Sequence, residues 1–277
     1  MSEHDGLDHR DPPAARHQSD SLDYGWWASD GPTAGYLTRR AFEVLGGAEE
    51  RHVRHVHLHV LGPSAAGTPT TISVARARGA GDIDLATVTY SQLGPFAVAL
   101  LTVGAGDGDS EPGDVKPPNA LPRETYRPMV TPPSTMPPVT RRFEYRPTTE
   151  ADGRGPRWDW DFVWVSPIDE LLRGRMLVAS VMDSWFPPSF MRSVRTHLRD
   201  QLDELRQPAP TVLVGASISF PANQATYDDA RHLLLGNQHS ATVDGFLFER
   251  SEVWSERGEL LATAELIRRH RQRGARH

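Results

Sequence analysis

Nine of the chain's 23 prolines crowd into one segment, AGDGDSEPGDVKPPNALPRETYRPMVTPPSTMPPVT (105–140). Proline fixes φ and carries no backbone N–H, so this segment can be neither a central strand nor a helix interior. It is expected to be a long extended linker. It separates two parts of comparable size, 21–104 and 141–270. Residues 1–20 are expected to form a disordered arm, and the basic residues of 271–277 a solvated tail.

Both parts repeat one order of elements. The first has a helix near its start, 33–46, then strand-like runs: HVHLHVLG (55–62), TPTTISVARARG (68–79), LATVTYSQ (85–92) and FAVALLTVG (96–104). A Leu-Gly-Pro turn joins the last two. The second opens on WDWDFVWV (158–165) and a helix, IDELLRGRMLVASVMDSWF (168–186), stopped by Pro187 and Pro188. Then come TVLVGASISF (211–220), ARHLLLGNQHSA (230–241), DGFLFERSEVWS (244–255) and ELLATAELIRR (259–269), the last pair turning at Arg257-Gly258. Short runs of period-two alternation with hairpin turns predict antiparallel sheets, and one helix can cover a face of each.

The totals exclude several classes. A formal net charge of -6 argues against a nucleic-acid partner, whose phosphates call for basic patches. There is no cysteine, which removes disulfides, zinc thiolates and a thiol nucleophile. The first twenty residues lack the apolar core of a signal peptide, and no run of about 18 apolar residues could span a membrane. A cytoplasmic protein is expected.

Asp183 is the first candidate for chemistry. On a helix over 168–186 it shares a face with Leu172, Met176 and Ala179, near the C-terminal end. Burial and the negative end of the helix dipole would both raise its pKa and make it a better base. A structural aspartate bonded to a nearby loop is the alternative. Gly31, Ala34 and Gly35 open the first helix without bulk. They either expose orphan N–H groups to a ligand or let the helix seat closely. Trp26 and Trp27 before them suit a wall of the core or of a pocket. His55, His57 and His59 share a strand face opposite Val56, Leu58 and Val60, so they are expected to point outward, to solvent or to a subunit contact, rather than to hold a metal.

The stretches GPTAGYLTRRAF, HVHLHVLGPSAAG, TYSQLGPFAVALLTVG, VMDSWFPPSF and WSERGELLATAEL follow one another in an order that resembles the acyl-CoA thioesterase II family and its thioesterase-like relatives. The resemblance implies an α+β tandem double hotdog, two antiparallel sheets each wrapping a long central helix. It implies hydrolysis of acyl-CoA by direct attack of water, with no cofactor or metal, in a chain that can also assemble as a homo-oligomer. It makes Asp183 the residue that activates the water, and places the helix start at Gly31, Ala34 and Gly35 in the acyl-thioester site. It also places a supporting hydroxyl at Leu213 and a supporting amide at Leu266, where this sequence has leucines. Thr211 and Ser217, expected on the same strand face as Leu213, and the amide of Gln92 are candidate substitutes. The two leucines keep a second reading open, a binding protein that holds an acyl ligand without cleaving it. A third, a dehydratase, would need a histidine beside an acid, and His232 and His239 are the candidates.

Overall fold

The computed structural model describes residues 16–28, 31–46, 52–79, 83–104, 115–129, 137–148, 160–185 and 211–270. Among these residues eleven strands form one antiparallel sheet: β1 Arg16–Ser21, β2 Val53–Val60, β3 Pro69–Arg78, β4 Ile83–Ser91, β5 Pro95–Gly104, β6 Phe143–Pro147, β7 Asp161–Pro167, β8 Thr211–Ser219, β9 Leu233–Val243, β10 Phe246–Ser255 and β11 Leu260–His270. Among the described residues three α-helices accompany it: α1 Ala34–Leu45, α2 Gly174–Val181 and the short α3 Gln224–Asp228.

Strand order is β1-β3-β4-β5-β2-β8-β11-β10-β9-β7-β6. The halves join at β2 and β8, with His55 opposite Ser219, His57 opposite Ser217 and Leu58 opposite Ala216. Counting outward from this seam, each half places first the strand that follows its main helix, then its last strand, then the two between in reverse. In place of two separate sheets there is one continuous sheet, and the helices are 12 and 8 residues long. Residues 16–20, expected in a disordered arm, belong to β1 and pair with β3; the rest of that arm and the tail 271–277 lie outside the described residues.

Helix α1 follows from its sequence. Thr33 caps it, its hydroxyl accepting from Tyr36 N at 3.1 Å. Leu37, Ala41, Phe42 and Leu45 recur at helical spacing and are fully buried. Gly46 ends it at φ 82°, in the left-handed region that glycine tolerates. Phe42 meets Phe220, just beyond β8, edge to face at 5.4 Å, within one buried apolar cluster that runs through both halves.

Helix α2 is shorter than its sequence suggested. Gly174 at φ 62° starts it, so Leu172 lies ahead of it. Met182 leaves helical geometry at ψ 126°, Asp183 takes φ 68°, and Ser184 N donates back to Val181 O at 3.1 Å. This is a type II turn with aspartate at the position that usually demands glycine. Asp183 is therefore set by a turn and does not share a helix face with Leu172, Met176 and Ala179.

The described part of the linker packs back onto the sheet. Trp164 Nε1 donates to Leu121 O at 3.1 Å, and Tyr126 joins Trp164, Leu234 and Trp254 in a second buried cluster. No helix among the described residues is long and apolar enough to cross a membrane.

The start of α1 abuts the end of α2. A Cβ built on Gly35 would lie 2.4 Å from both Ala179 O and Met182 O, rigid backbone with no way to yield. Around Gly31 there is open space. Gly35→Ala is expected to lower stability by about 1–3 kcal/mol, the range for overpacking, and Gly31→Ala to stay within about 0.5 kcal/mol of wild type. Thermal melts of the two variants check this; equal melting temperatures would contradict it.

Candidate active site

The turn after α2 delivers Asp183 to the N-terminus of α1. Its Oδ2 accepts from Ala34 N at 3.0 Å, across the two halves. The residue is 4% exposed. The first N–H groups of a helix lack internal partners and carry the positive end of its dipole, so a carboxylate there is stabilised. The arrangement reverses the one expected from sequence: Asp183 caps the positive end of α1 as well as following the negative end of α2.

Its other oxygen, Oδ1, meets the guanidinium Nη2 of Arg268 in a buried ion pair. Arg268 stands on β11 with its side chain 2% exposed, and its Nε donates to Glu249 Oε2 on β10 at 2.9 Å. One guanidinium thus faces two carboxylates. It cannot neutralise both, and burial pushes the Glu249 carboxyl up to about 8. Burial also pushes Arg268 down to about 10, which leaves it charged at neutral pH.

Leu213 and Leu266 enclose this group. Leu213 is the register partner of Arg268 across β8, and Leu266 that of Glu249 across β10. Both are buried, so the charges interact with little water between them. Ser217 is not their neighbour. Register slips between Arg268–Leu213 and Ile267–Gly215, a bulge at Val214. Beyond it Ala216 and Ile218 take the buried face, and Ser217 turns outward to bond His55 Nε2 at 3.3 Å. The expectation that Ser217 shares a face with Leu213 fails on that bulge. Thr211 stays buried, paired in register with His270.

The remaining candidates are placed as follows. Ala34 N bonds Asp183 and Tyr36 N bonds Thr33, which leaves the Gly35 amide as the first-turn donor with no acceptor among the described residues. Gly35 itself is pressed against α2, so the tight seating expected of a small residue is present there. Gly31 bonds Ala28 N through its carbonyl at 2.8 Å. The Gln92 side chain is engaged elsewhere, with Ala65 N and O at 2.9 and 2.8 Å and Thr70 Oγ at 3.1 Å. Trp26 stacks on Tyr36, centroids 5.7 Å apart, with the Arg39 guanidinium 4.2 Å over its ring. Trp27 is buried beside it and accepts from Val139 N at 3.1 Å. His55, His57 and His59 lie on the outer face as their alternation predicted. Burial lowers the His55 imidazole below its ordinary value, and its Nδ1 bonds Ser219 Oγ at 3.0 Å. His232 Nδ1 bonds Ser166 Oγ at 2.8 Å. No imidazole bonds Asp183 among the described residues.

Sequence reasoning missed Arg268 and Glu249. The signal was present: Ala262, Ala264, Leu266 and Arg268 alternate on one face of β11, and Leu247, Glu249, Ser251 and Val253 on one face of β10. A charge at a core-facing position of an otherwise apolar alternation calls for a buried partner.

Residues 24–104 match a family model described as acyl-CoA thioesterase N-terminal domain. The resemblance read from the sequence motifs therefore stands for that segment. Among solved structures, the chain is similar over 94% of both lengths to a hotdog-fold protein of unknown function from Alicyclobacillus acidocaldarius, at 17% identity and a TM-score of 0.75. It is similar to the acyl-CoA thioesterase II TesB2 of Mycobacterium marinum at 14% identity, over 92% of this chain and 93% of that one, with a TM-score of 0.69. A tesB protein of Mycobacterium avium subsp. paratuberculosis gives 15% identity over 92% and 93%, with a TM-score of 0.61. These likenesses establish the hotdog fold. No curated protein matches the sequence significantly.

Glu249 supplies a pH test. Its folded value lies above its ordinary 4.5, so the native state holds a proton that the unfolded chain releases. Stability should then fall as pH rises from about 5 to about 8 and level off above that. Urea unfolding across this range should show the fall in wild type and a flatter course in Glu249→Gln. Parallel courses would contradict the assignment.

Proposed function

We propose that the chain is an acyl-CoA thioesterase-like hydrolase built as a tandem double hotdog and acting in the cytoplasm. The mirrored strand order about the β2–β8 seam supports the tandem. The observation that carries the function is the Asp183 carboxylate seated on the first turn of α1, beside the Gly35 amide, which has no acceptor among the described residues. That helix start lies inside the segment matched to the thioesterase domain.

The chemistry follows from this placement. Asp183 orients a water and takes its proton as the water oxygen adds to the thioester carbonyl carbon. The Gly35 N–H, at the positive end of α1, holds the oxygen that gains charge. The tetrahedral adduct then collapses. Its C–S bond breaks, and the departing CoA sulfur receives the proton from Asp183. No nucleophilic serine or covalent intermediate is required.

A second reading has its own observation. The guanidinium on Asp183 and the buried leucines 213 and 266 also suit a protein that binds an acyl thioester without cleaving it.

A panel of acyl-CoA thioesters, read by release of free thiol, separates the two. Turnover is expected, and Asp183→Asn should cut it by about 10²-fold or more, the range for losing a general base. Asparagine keeps an oxygen for Ala34 N but cannot take a proton. Turnover that persists undiminished in a folded Asp183→Asn removes the catalytic assignment. Binding of acyl-CoA with no turnover by wild type establishes the second reading.

A further inference from the structure

We infer that Arg268 is a positioning residue for this hydrolysis, locked by Glu249 at its Nε so that the Asp183 carboxylate keeps one orientation at the start of α1. The inference rests on the reading above and adds two residues to it.

The argument begins with the turn. Asp183 sits outside any regular element at φ 68°, so hydrogen bonding within a helix does not hold its carboxylate. Two partners hold it instead, the Ala34 N–H donating to Oδ2 and the Arg268 guanidinium in an ion pair at Oδ1. With one partner at each oxygen, each keeps further lone-pair capacity for a water. The partners come from different halves, and Arg268 stands on a strand paired on both sides, by β8 and β10.

Glu249 completes the device. A guanidinium is planar, so binding its Nε fixes the direction of its Nη groups. The Glu249 bond to Nε, at 2.9 Å, does this from the neighbouring strand β10. Arg268 is 2% exposed, so it cannot swing into water without opening the core. Stability alone does not account for three ionisable groups here. A buried ion pair is often no more stabilising than apolar side chains of the same volume, and apolar neighbours already stand at 213 and 266. What such a group supplies is a fixed direction for a carboxylate.

The test uses the full chain and an acyl-CoA it cleaves, with kcat and KM measured separately for wild type, Arg268→Gln, Arg268→Lys and Glu249→Gln, and folding checked by circular dichroism. Misplacing a catalytic group by an ångström costs as much as 10²-fold, so Arg268→Gln is expected to lower kcat by about tenfold or more. KM should change by less than about threefold, because ground-state binding is not what is lost. Arg268→Lys should recover part of the kcat, having the charge without the fork. Glu249→Gln, which keeps an acceptor for Nε, should lose less than Arg268→Gln. A folded Arg268→Gln with wild-type kcat and a lowered melting temperature assigns Arg268 to structure alone and overturns the inference. So does a rise in KM at constant kcat. If Arg268→Gln does not fold, unchanged kcat in both other variants overturns it. Wild type that cleaves no thioester overturns the hydrolysis reading and the inference together, and that result precedes any variant.

Discussion

A charged guanidinium in the core must be neutralised where it stands, and much of this molecule is arranged around that requirement. Removing a charge from water costs several kcal/mol even after relaxation. Arg268 meets that cost with the Asp183 carboxylate, reached from the turn after α2, and with a bond to the Glu249 carboxyl on the neighbouring strand. Asp183 reaches it only by adopting a left-handed backbone, a conformation in which aspartate costs more than glycine. The same turn brings α2 so close to α1 that residue 35 has no room for a side chain. Ion pair, turn and glycine depend on one another.

The joining of the two halves in one sheet makes the site possible. Pairing of β2 with β8 closes the sheet across the halves, and the start of α1 is brought against the end of α2. The partner of one Asp183 oxygen is then a backbone amide of the first half, and the ion-pair partner of the other a side chain of the second. Neither half contains this arrangement alone. The described linker adds to the closure, because Leu121 and Tyr126 cover Trp164 and Trp254 on the sheet face away from the helices.

The strands and α1 were legible because their signals are local. Period-two alternation placed β2 to β5 and β7 to β11 within a few residues, and Thr33 with Gly46 bounded α1. The end of α2 was not legible. Helical spacing of Leu172, Met176, Ala179 and Asp183 extends a helix that Gly174 and the turn at Met182 cut short. The burial of Asp183 was read for the wrong reason and its partner was missed. A bulge at Val214 inverted the face of Ser217, and bulges leave no mark in a run such as TVLVGASISF. Arg268 was passed over because the motif ended two residues earlier, at Leu266. Strand periodicity would have carried the search on to the next position of the same face.

An arginine near Asp183 differs in kind from the amide that the resemblance led us to expect near Leu266. An amide both donates and accepts, so it can bond a water directly and share its orientation with a carboxylate. A guanidinium only donates. In the proposed hydrolysis Arg268 therefore cannot accept a hydrogen bond from the attacking water; it would act on the water through Asp183, by fixing the carboxylate and stabilising its charge. Stabilising that charge weakens the base, and fixing its direction improves its aim. Glu249, which holds its proton at neutral pH, adds no competing charge and acts on the guanidinium through its bond to Nε. The enclosing leucines strengthen both interactions by keeping water out. On the proposed mechanism the site exchanges a shared grip on the water for a rigid grip on the aspartate, and its rate depends on whether direction outweighs lost basicity.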